Sequence, residues 1–343
     1  MNRADCTTIR RMRARCSALV LFFFTLLCAC GPAAPAPRVA PAASAAAAPS
    51  TGPVVEANGP ALWEIQGRKG PLYLYGTIHT GGEEYVPQMA WDKLAESTTF
   101  VMEADIDGID QIAVLGRAAL PSGERLDQKM SPEAWRKLVA ATQGVLPELL
   151  MRRMKPSFVM SFVLLTLLPG SPPVDQVLKE RAEDQGATIE YLETWEQQLD
   201  ALEAVIDVKA LVETVDDMDK VRATLDGLLA AYRAGDLAVI EELSVVSAGG
   251  EEAHEILLVS RNKAWIPRIE AYLAKGRVFL AVGVGHMPGK DGLLAMLRAR
   301  GHTVTRVPAP PAITPPARAA GRVDPLRRPR GPGPDLTAPG AAR

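Results

Sequence analysis

The sequence predicts an α/β fold, and three observations carry that prediction. Five short runs rich in β-branched and aromatic residues are spread over positions 72–307. Apolar residues at helical spacing fill the stretches between them. Four of the runs end in a chemically active side chain: His79, Glu103, Glu193 or His286. Open α/β sheets bind their ligands beyond the carboxyl ends of the strands, where these residues would stand.

The elements follow in order along the chain. Leu72-Tyr73-Leu74-Tyr75 leads into Gly76-Thr77-Ile78-His79, and residues 98–102 lead into Glu103. Ser131 suits a helix N-cap with Pro132 at the first helical position, and Trp135, Leu138 and Val139 follow at i, i+3 and i+4. Residues 158–168 are strongly apolar and bounded by Pro156 and Pro169. They fall short of the roughly 20 residues a membrane-spanning helix needs, so they predict a buried core helix. Val174, Val177 and Leu178 predict a helix that stops near Gly186. The run 188–192 ends in Glu193. Leu225, Leu228, Leu229 and Tyr232 mark one further helix, and Trp265, Ile269 and Leu273 another. Residues 278–282 run into Gly283-Val284-Gly285-His286, and residues 303–307 form a last short strand.

The ends of the chain differ from this middle. Arg10, Arg11, Arg13 and Arg15 precede an apolar stretch over residues 17–27, the layout of a bacterial export signal. Leu27-Cys28-Ala29-Cys30 is similar to a lipoprotein box, with Cys30 as the lipid acceptor. Two acyl chains there would hold the mature chain to a membrane, and Gly31 at the next position favours the outer membrane, facing the periplasm. All four Cys lie in the first 30 residues, so a mature domain starting at Cys30 has no free thiol for catalysis or metal binding. Residues 31–60 are rich in Ala and Pro and read as a disordered tether. Residues 308–343, rich in Pro and Arg, read as a disordered tail. The formal charge of the whole chain is −2, but the leader and the tail carry +4 each, so residues 61–307 carry −10. An acidic domain of this kind excludes a strongly basic nucleic-acid binder.

The strand ends carry the chemistry. Both His79 and His286 sit in the pattern Gly-x-x-His, after a β-rich run. Glycine allows a sharp exit from a strand and a close approach of backbone to ligand. Imidazole is the commonest metal ligand and the physiological general base. Two His and the carboxylate of Glu103 make a workable divalent-metal site with positions left for water. Other constellations fail: His254-Glu255 lacks the second His of a zincin helix, because position 258 is Leu. The glycines from Gly283 lack dinucleotide-loop spacing, no Gly-x-Ser-x-Gly elbow occurs, and Asp216, Asp217 and Asp219 lack calcium-loop spacing.

Together these motifs resemble the TraB/GumN family, which is related to the Tiki membrane proteases. The residues that carry the resemblance are Leu62-Trp63-Glu64-Ile65 with Tyr73 to His79, and Val101-Met102-Glu103-Ala104-Asp105. Val174-Asp175 with Tyr191 to Leu199, Arg261-Asn262 with Trp265, and Ala281 to Gly289 complete the set. Met287 and His302 depart from the family pattern, where Leu and an aromatic residue are commoner. The resemblance implies a central mixed β-sheet flanked by helices, like that of erythromycin esterase and the haem-binding ChaN proteins, with a helix-rich middle segment. It implies a metallopeptidase in which His79, His286 and Glu103 hold a divalent ion (Mn, Co or Zn). Arg261 would then stabilise an oxyanion or clamp a carboxylate, and Glu193 would act as a second carboxylate. Asn262, Asp175 and Gln197 would support the site or touch a peptide substrate. Two other functions stay open: a non-catalytic protein that binds peptide or assists polysaccharide export, and haem or iron binding of the ChaN kind.

Overall fold

The computed structural model describes residue 59 and residues 62–308, apart from 106, 107, 109 and 169. The export signal, Cys30, the tether up to residue 58 and the tail beyond residue 308 lie outside the described residues. Six strands form one sheet in the order β4-β3-β5-β2-β1-β6. They are β1 (Leu62–Ile65), β2 (Leu72–Thr77), β3 (Thr99–Ala104), β4 (Thr188–Glu193), β5 (Val278–Gly283) and β6 (Val304–Arg306). Strands β4, β3, β5 and β2 run parallel, whereas β1 is antiparallel to both β2 and β6. The sheet is therefore mixed.

The alternation of side chains along the central strands sorts the core into two layers. Leu72, Leu74, Val278, Leu280 and Val282 face one side, against Trp265, Ile269 and Leu273. Tyr73, Tyr75, Phe100, Phe279 and Ala281 face the other, against Leu94, Val174 and Leu178. A parallel sheet covered on both faces requires this continuous apolar run, and all six residues of β2 are buried. Helix α1 (Gln88–Ala95) makes the crossover from β2 to β3.

The middle of the chain builds a second core out of helices. Helices α2 (Gln111–Ala118), α3 (Pro132–Ala141), α4 (Glu148–Met151) and α5 (Pro156–Leu165) bury Trp135, Leu138, Phe158, Val159, Phe162 and Val163 together. Ser131 caps α3, accepting from the Ala134 N–H at 3.1 Å. The apolar run around residue 160 is a buried helix, but Pro156 opens it instead of lying outside it. Proline costs nothing at the first helical position, where no intrahelical partner awaits its missing N–H. The four-residue strand β1 carries no periodicity long enough to read from the sequence, and it forms because β2 and β6 offer edges on both sides.

Helix α6 (Val174–Asp184) precedes β4. The return from β4 to β5 begins with α7 (Trp195–Val205), α8 (Val208–Asp216), α9 (Met218–Ala234), α10 (Leu237–Ala248) and α11 (Glu251–His254). A π-helical turn at Glu255–Val259 joins α11 to α12 (Ser260–Lys275), and α13 (Leu293–Ala299) leads to β6. Among the described residues no helix is long and apolar enough to cross a membrane.

One buried contact ties the helices to the first Gly-x-x-His segment. The Tyr232 hydroxyl on α9 donates to the Gly76 carbonyl at 3.1 Å and meets the Tyr75 hydroxyl at 3.1 Å. Gly76 itself has no room for a side chain, since a Cβ there would lie 2.8 Å from Val284 Cγ2. Tyr232→Phe leaves the Gly76 carbonyl and the Tyr75 hydroxyl buried without this partner. The expected loss of stability is about 1–3 kcal/mol, read as a lower urea midpoint at unchanged m-value.

Candidate active site

Three adjacent parallel strands deliver the residues of the site to one end of the sheet. β2 is continued by His79, β5 by His286 and β3 carries Glu103, while Glu193 closes the edge strand β4. The second glycine of the paired pattern acts on Glu103 directly. The Gly283 N–H donates to Glu103 Oε1 at 2.7 Å, and a Cβ on Gly283 would lie 3.2 Å from that oxygen. Glu103 Oε1 also lies 3.7 Å from His286 Nε2.

Arg261 enters this group from the first turn of α12. Its Nη2 lies 2.6 Å from Glu103 Oε2 and 2.6 Å from Glu193 Oε1, and its Nε donates to both oxygens of Glu193 at 3.2 Å. Nη1 donates to the Leu257 carbonyl at 2.9 Å, within the π-helical turn, and lies 3.3 Å from His286 Nε2. The three charged side chains are 6–14% exposed. Buried charges of this kind persist only when they are paired and hydrogen-bonded. Trp265, one turn after Arg261, donates Nε1–H to Glu193 Oε2 at 3.0 Å and lies beneath the guanidinium, 4.7 Å from its ring centroid. Its ring also packs on His286, with the centroids 4.4 Å apart.

Asn262 sets the protonation of His286. Its Nδ2 donates to the carbonyls of His286 (3.2 Å) and Asp291 (3.0 Å). That leaves Asn262 Oδ1 facing His286 Nδ1 at 2.7 Å, an acceptor that requires the imidazole proton on Nδ1. The Nε2 lone pair then points at Glu103 and Arg261. Burial, opposed by Glu103, pushes the pKa of His286 down to about 3, so the ring is neutral near pH 7. Burial alone would raise Glu103, but Arg261, His286 and the Gly283 N–H bring it down to about 2. Burial holds Glu193 above the ordinary carboxylate value, although Arg261 pulls the other way.

His79 stands apart from this cluster. Its side chain is 45% exposed, and Nδ1 lies 3.6 Å from Asp175 Oδ2, at the start of α6. Desolvation lowers its pKa, and Asp175 with Glu103 more than reverses this, so the value lies above the usual imidazole range. Asp175 is itself buried, and its Oδ1 has no hydrogen-bond partner among the described residues. Among the described residues no three His, Cys, Asp or Glu side chains gather closely enough to hold a metal ion. The donors still suit a divalent cation in kind. Two imidazoles and a carboxylate stand on adjacent strand ends, and His286 has its outer nitrogen anchored as metal-binding histidines do.

The remaining expectations divide. Asn262 sits inside the cluster, whereas Gln197 does not: its side chain accepts from the Thr194 N–H at 3.0 Å and caps α7. The neighbouring Gln198 is the glutamine that reaches the site, donating to Glu103 Oε2 at 3.3 Å. Gln198 lay in the family segment Tyr191 to Leu199 without a role of its own, and Gly283 was marked only as a place where backbone can approach a ligand closely. Trp265 had one, its place four residues after Arg261 on a helix, which puts both on one face.

Residues 61–306 match the family model described as the TraB/PrgY/gumN family. Among curated relatives, the chain is 26% identical over 312 residues to Metalloprotease TIKI1 of Danio rerio, covering 72% of this chain and 63% of that protein. It is 26% identical over 318 residues to Metalloprotease TIKI2 of Xenopus tropicalis (74% and 61%) and 25% identical over 314 residues to Metalloprotease TIKI1 of Homo sapiens (72% and 62%). The chain thus covers less than two thirds of the length of these relatives. No solved structure matches the chain significantly.

The Asn262 anchor has a spectroscopic consequence. In the ion-free protein, nitrogen NMR of His286 should show the proton on Nδ1. Asn262→Leu should lose that single tautomer, with stability reduced by about 1–3 kcal/mol because two carbonyls lose their donor. An unchanged Nδ1–H signal in the variant would refute the assignment.

Proposed function

The chain belongs to the TraB/PrgY/gumN family, and from that premise we propose that it is a metal-dependent hydrolase of peptide bonds, held to the cell envelope by a lipid on Cys30. The observation that carries the reading is the meeting of Glu103, His286 and Arg261 at the carboxyl ends of parallel strands, next to the strand that His79 continues. The relatives named as metalloproteases support the same chemistry.

His79, His286 and Glu103 would hold the divalent ion. Such an ion brings the pKa of a bound water towards ~7 and polarises a carbonyl. The chain's own residues supply the rest. Asn262 keeps a lone pair on His286 Nε2 by holding the proton on Nδ1. Asp175, 3.6 Å from His79 Nδ1, would orient that ring as a carboxylate orients a metal-binding imidazole. Arg261 brings positive charge to the place where an oxyanion develops. Glu193 and Trp265 keep Arg261 aligned.

A groove of 620 Å³ supports a peptide as the substrate. It lies beside the edge strand β4 and is lined by Glu190, Tyr191, Glu193, Trp195, Arg268 and Tyr272. An extended chain lying along a sheet edge is a recurrent mode of peptide recognition. One observation favours a second reading, in which the protein binds peptide without turnover. Arg261 already neutralises Glu103 and covers His286, so the cluster is complete as a structural unit without an ion.

Metal content, cleavage kinetics and mass spectrometry test the proposal. Purified protein should contain about one divalent ion per chain and cleave peptides, and dialysis against a chelator should abolish cleavage until Mn or Co is restored. His79→Ala, His286→Ala and Glu103→Gln should each reduce kcat/KM by about 10²–10⁴-fold. Equal metal content in wild type and in the His79→Ala/His286→Ala double variant refutes the metal. Mass spectrometry of the mature N-terminus should find a diacylated Cys30, and an unmodified residue at any other position there refutes the anchor.

A further inference from the structure

Arg261 and a metal ion would compete for the same atoms. His286 has one lone pair on Nε2, because Asn262 holds the ring proton on Nδ1. That lone pair faces Nη1 of Arg261 at 3.3 Å. Glu103 Oε2 faces Nη2 at 2.6 Å. A lone pair that accepts an N–H cannot bind a cation at the same time. A divalent ion on Glu103 and His286 would also meet a full positive charge at contact distance in a site that water barely reaches.

The guanidinium has other partners besides Glu103 and His286. Glu193 holds Nε and Nη2 in a forked contact at 3.2 and 2.6 Å, the Leu257 carbonyl holds Nη1, and the Trp265 ring lies beneath the whole plane. None of these contacts uses Glu103 or His286. Arg261 can therefore leave the two candidate ligands by a small movement while it keeps Glu193. The guanidinium is planar and rigid, and its five N–H donors allow such a division of contacts, which the ammonium of a lysine would not.

We infer that Arg261 is an internal counter-cation that holds the metal seat in the ion-free protein and is displaced onto Glu193 when a divalent ion enters. The inference rests on the metal-dependent reading above. It assigns Arg261 a positioning role: the residue keeps Glu103 paired and the strand ends in place before loading, and it sets how tightly the ion is held. It assigns Glu193 the role of receiving the displaced charge, since the buried Glu193 already takes Nε and Nη2 while Nη1 lies by His286.

The test is a titration of the full chain, purified in detergent and stripped of metal, with Co²⁺ alone. Binding is followed by calorimetry and by the visible absorption of Co²⁺, and loading should change the fluorescence of Trp265, which touches both His286 and Arg261. Arg261→Gln removes the competing charge and should bind Co²⁺ about tenfold tighter or more. Its ion-free form should melt lower than wild type, with a larger rise in Tm on adding Co²⁺. Glu193→Gln removes the acceptor of the displaced guanidinium and should weaken binding. If Arg261→Gln is folded and binds Co²⁺ equally or more weakly than wild type, the inference is overturned while the metal reading stands. If Arg261→Gln does not fold, Glu193→Gln decides: unchanged or tighter binding overturns the inference. If neither wild type nor folded Arg261→Gln binds Co²⁺, the metal reading fails and the inference falls with it.

Discussion

Glu103 and Glu193 are carried to the ends of neighbouring parallel strands and buried there, and the guanidinium of Arg261 lies between them. Two carboxylates this close in a dry environment repel each other and lose hydration. The arrangement holds because one planar cation donates to both at 2.6 Å. Much of the site follows from that pairing. The guanidinium orients the Nε2 face of His286, stacks on Trp265 and draws the π-helical turn into the cluster through the Leu257 carbonyl. Breaking a buried pair of this kind by removing one partner typically costs about 3–5 kcal/mol, because the other charge stays behind.

The sheet supplies the precision that such a cluster needs. β2, β5 and β3 are bonded to one another in register, so Thr77 lies opposite Gly283, and Val101 of β3 opposite Leu280 of β5. His79, His286 and Glu103 leave the sheet from those strands. Two apolar layers and a separate helical core hold the strands without drawing on the polar groups at their ends. Most of the hydrophobic burial thus lies away from the polar cluster, and Trp265 belongs to both.

Much of this was legible in the sequence. The central strands were visible as apolar runs because a sheet buried on both faces admits few polar residues. The chemically active side chains were visible because each ended such a run. Residues that reach the site from helices were harder to see. Asn262 and Arg261 came to notice through family motifs, and Gln198 was passed over for Gln197 because adjacent positions on a helix point about 100° apart. Gln197 turns back to cap α7, and Gln198 turns inward to Glu103. Strand β1 escaped notice because four residues carry no readable period, and its neighbours define it.

By itself, the sequence determined which residue types stand at the strand ends and that the domain between the basic termini is acidic and lacks cysteine. Those facts follow from local pattern and composition. It could not determine that a helical arginine from some 70 residues beyond Glu193 would lie between the carboxylates, or that His79 Nδ1 would lie 3.6 Å from Asp175. Contacts of that kind depend on distances between segments far apart in the chain, and only the packing of helices onto the sheet decides them. The physical reason is the cost of burying charge: Glu103 and Glu193 need a cation wherever one can reach, and the tertiary structure places Arg261 there.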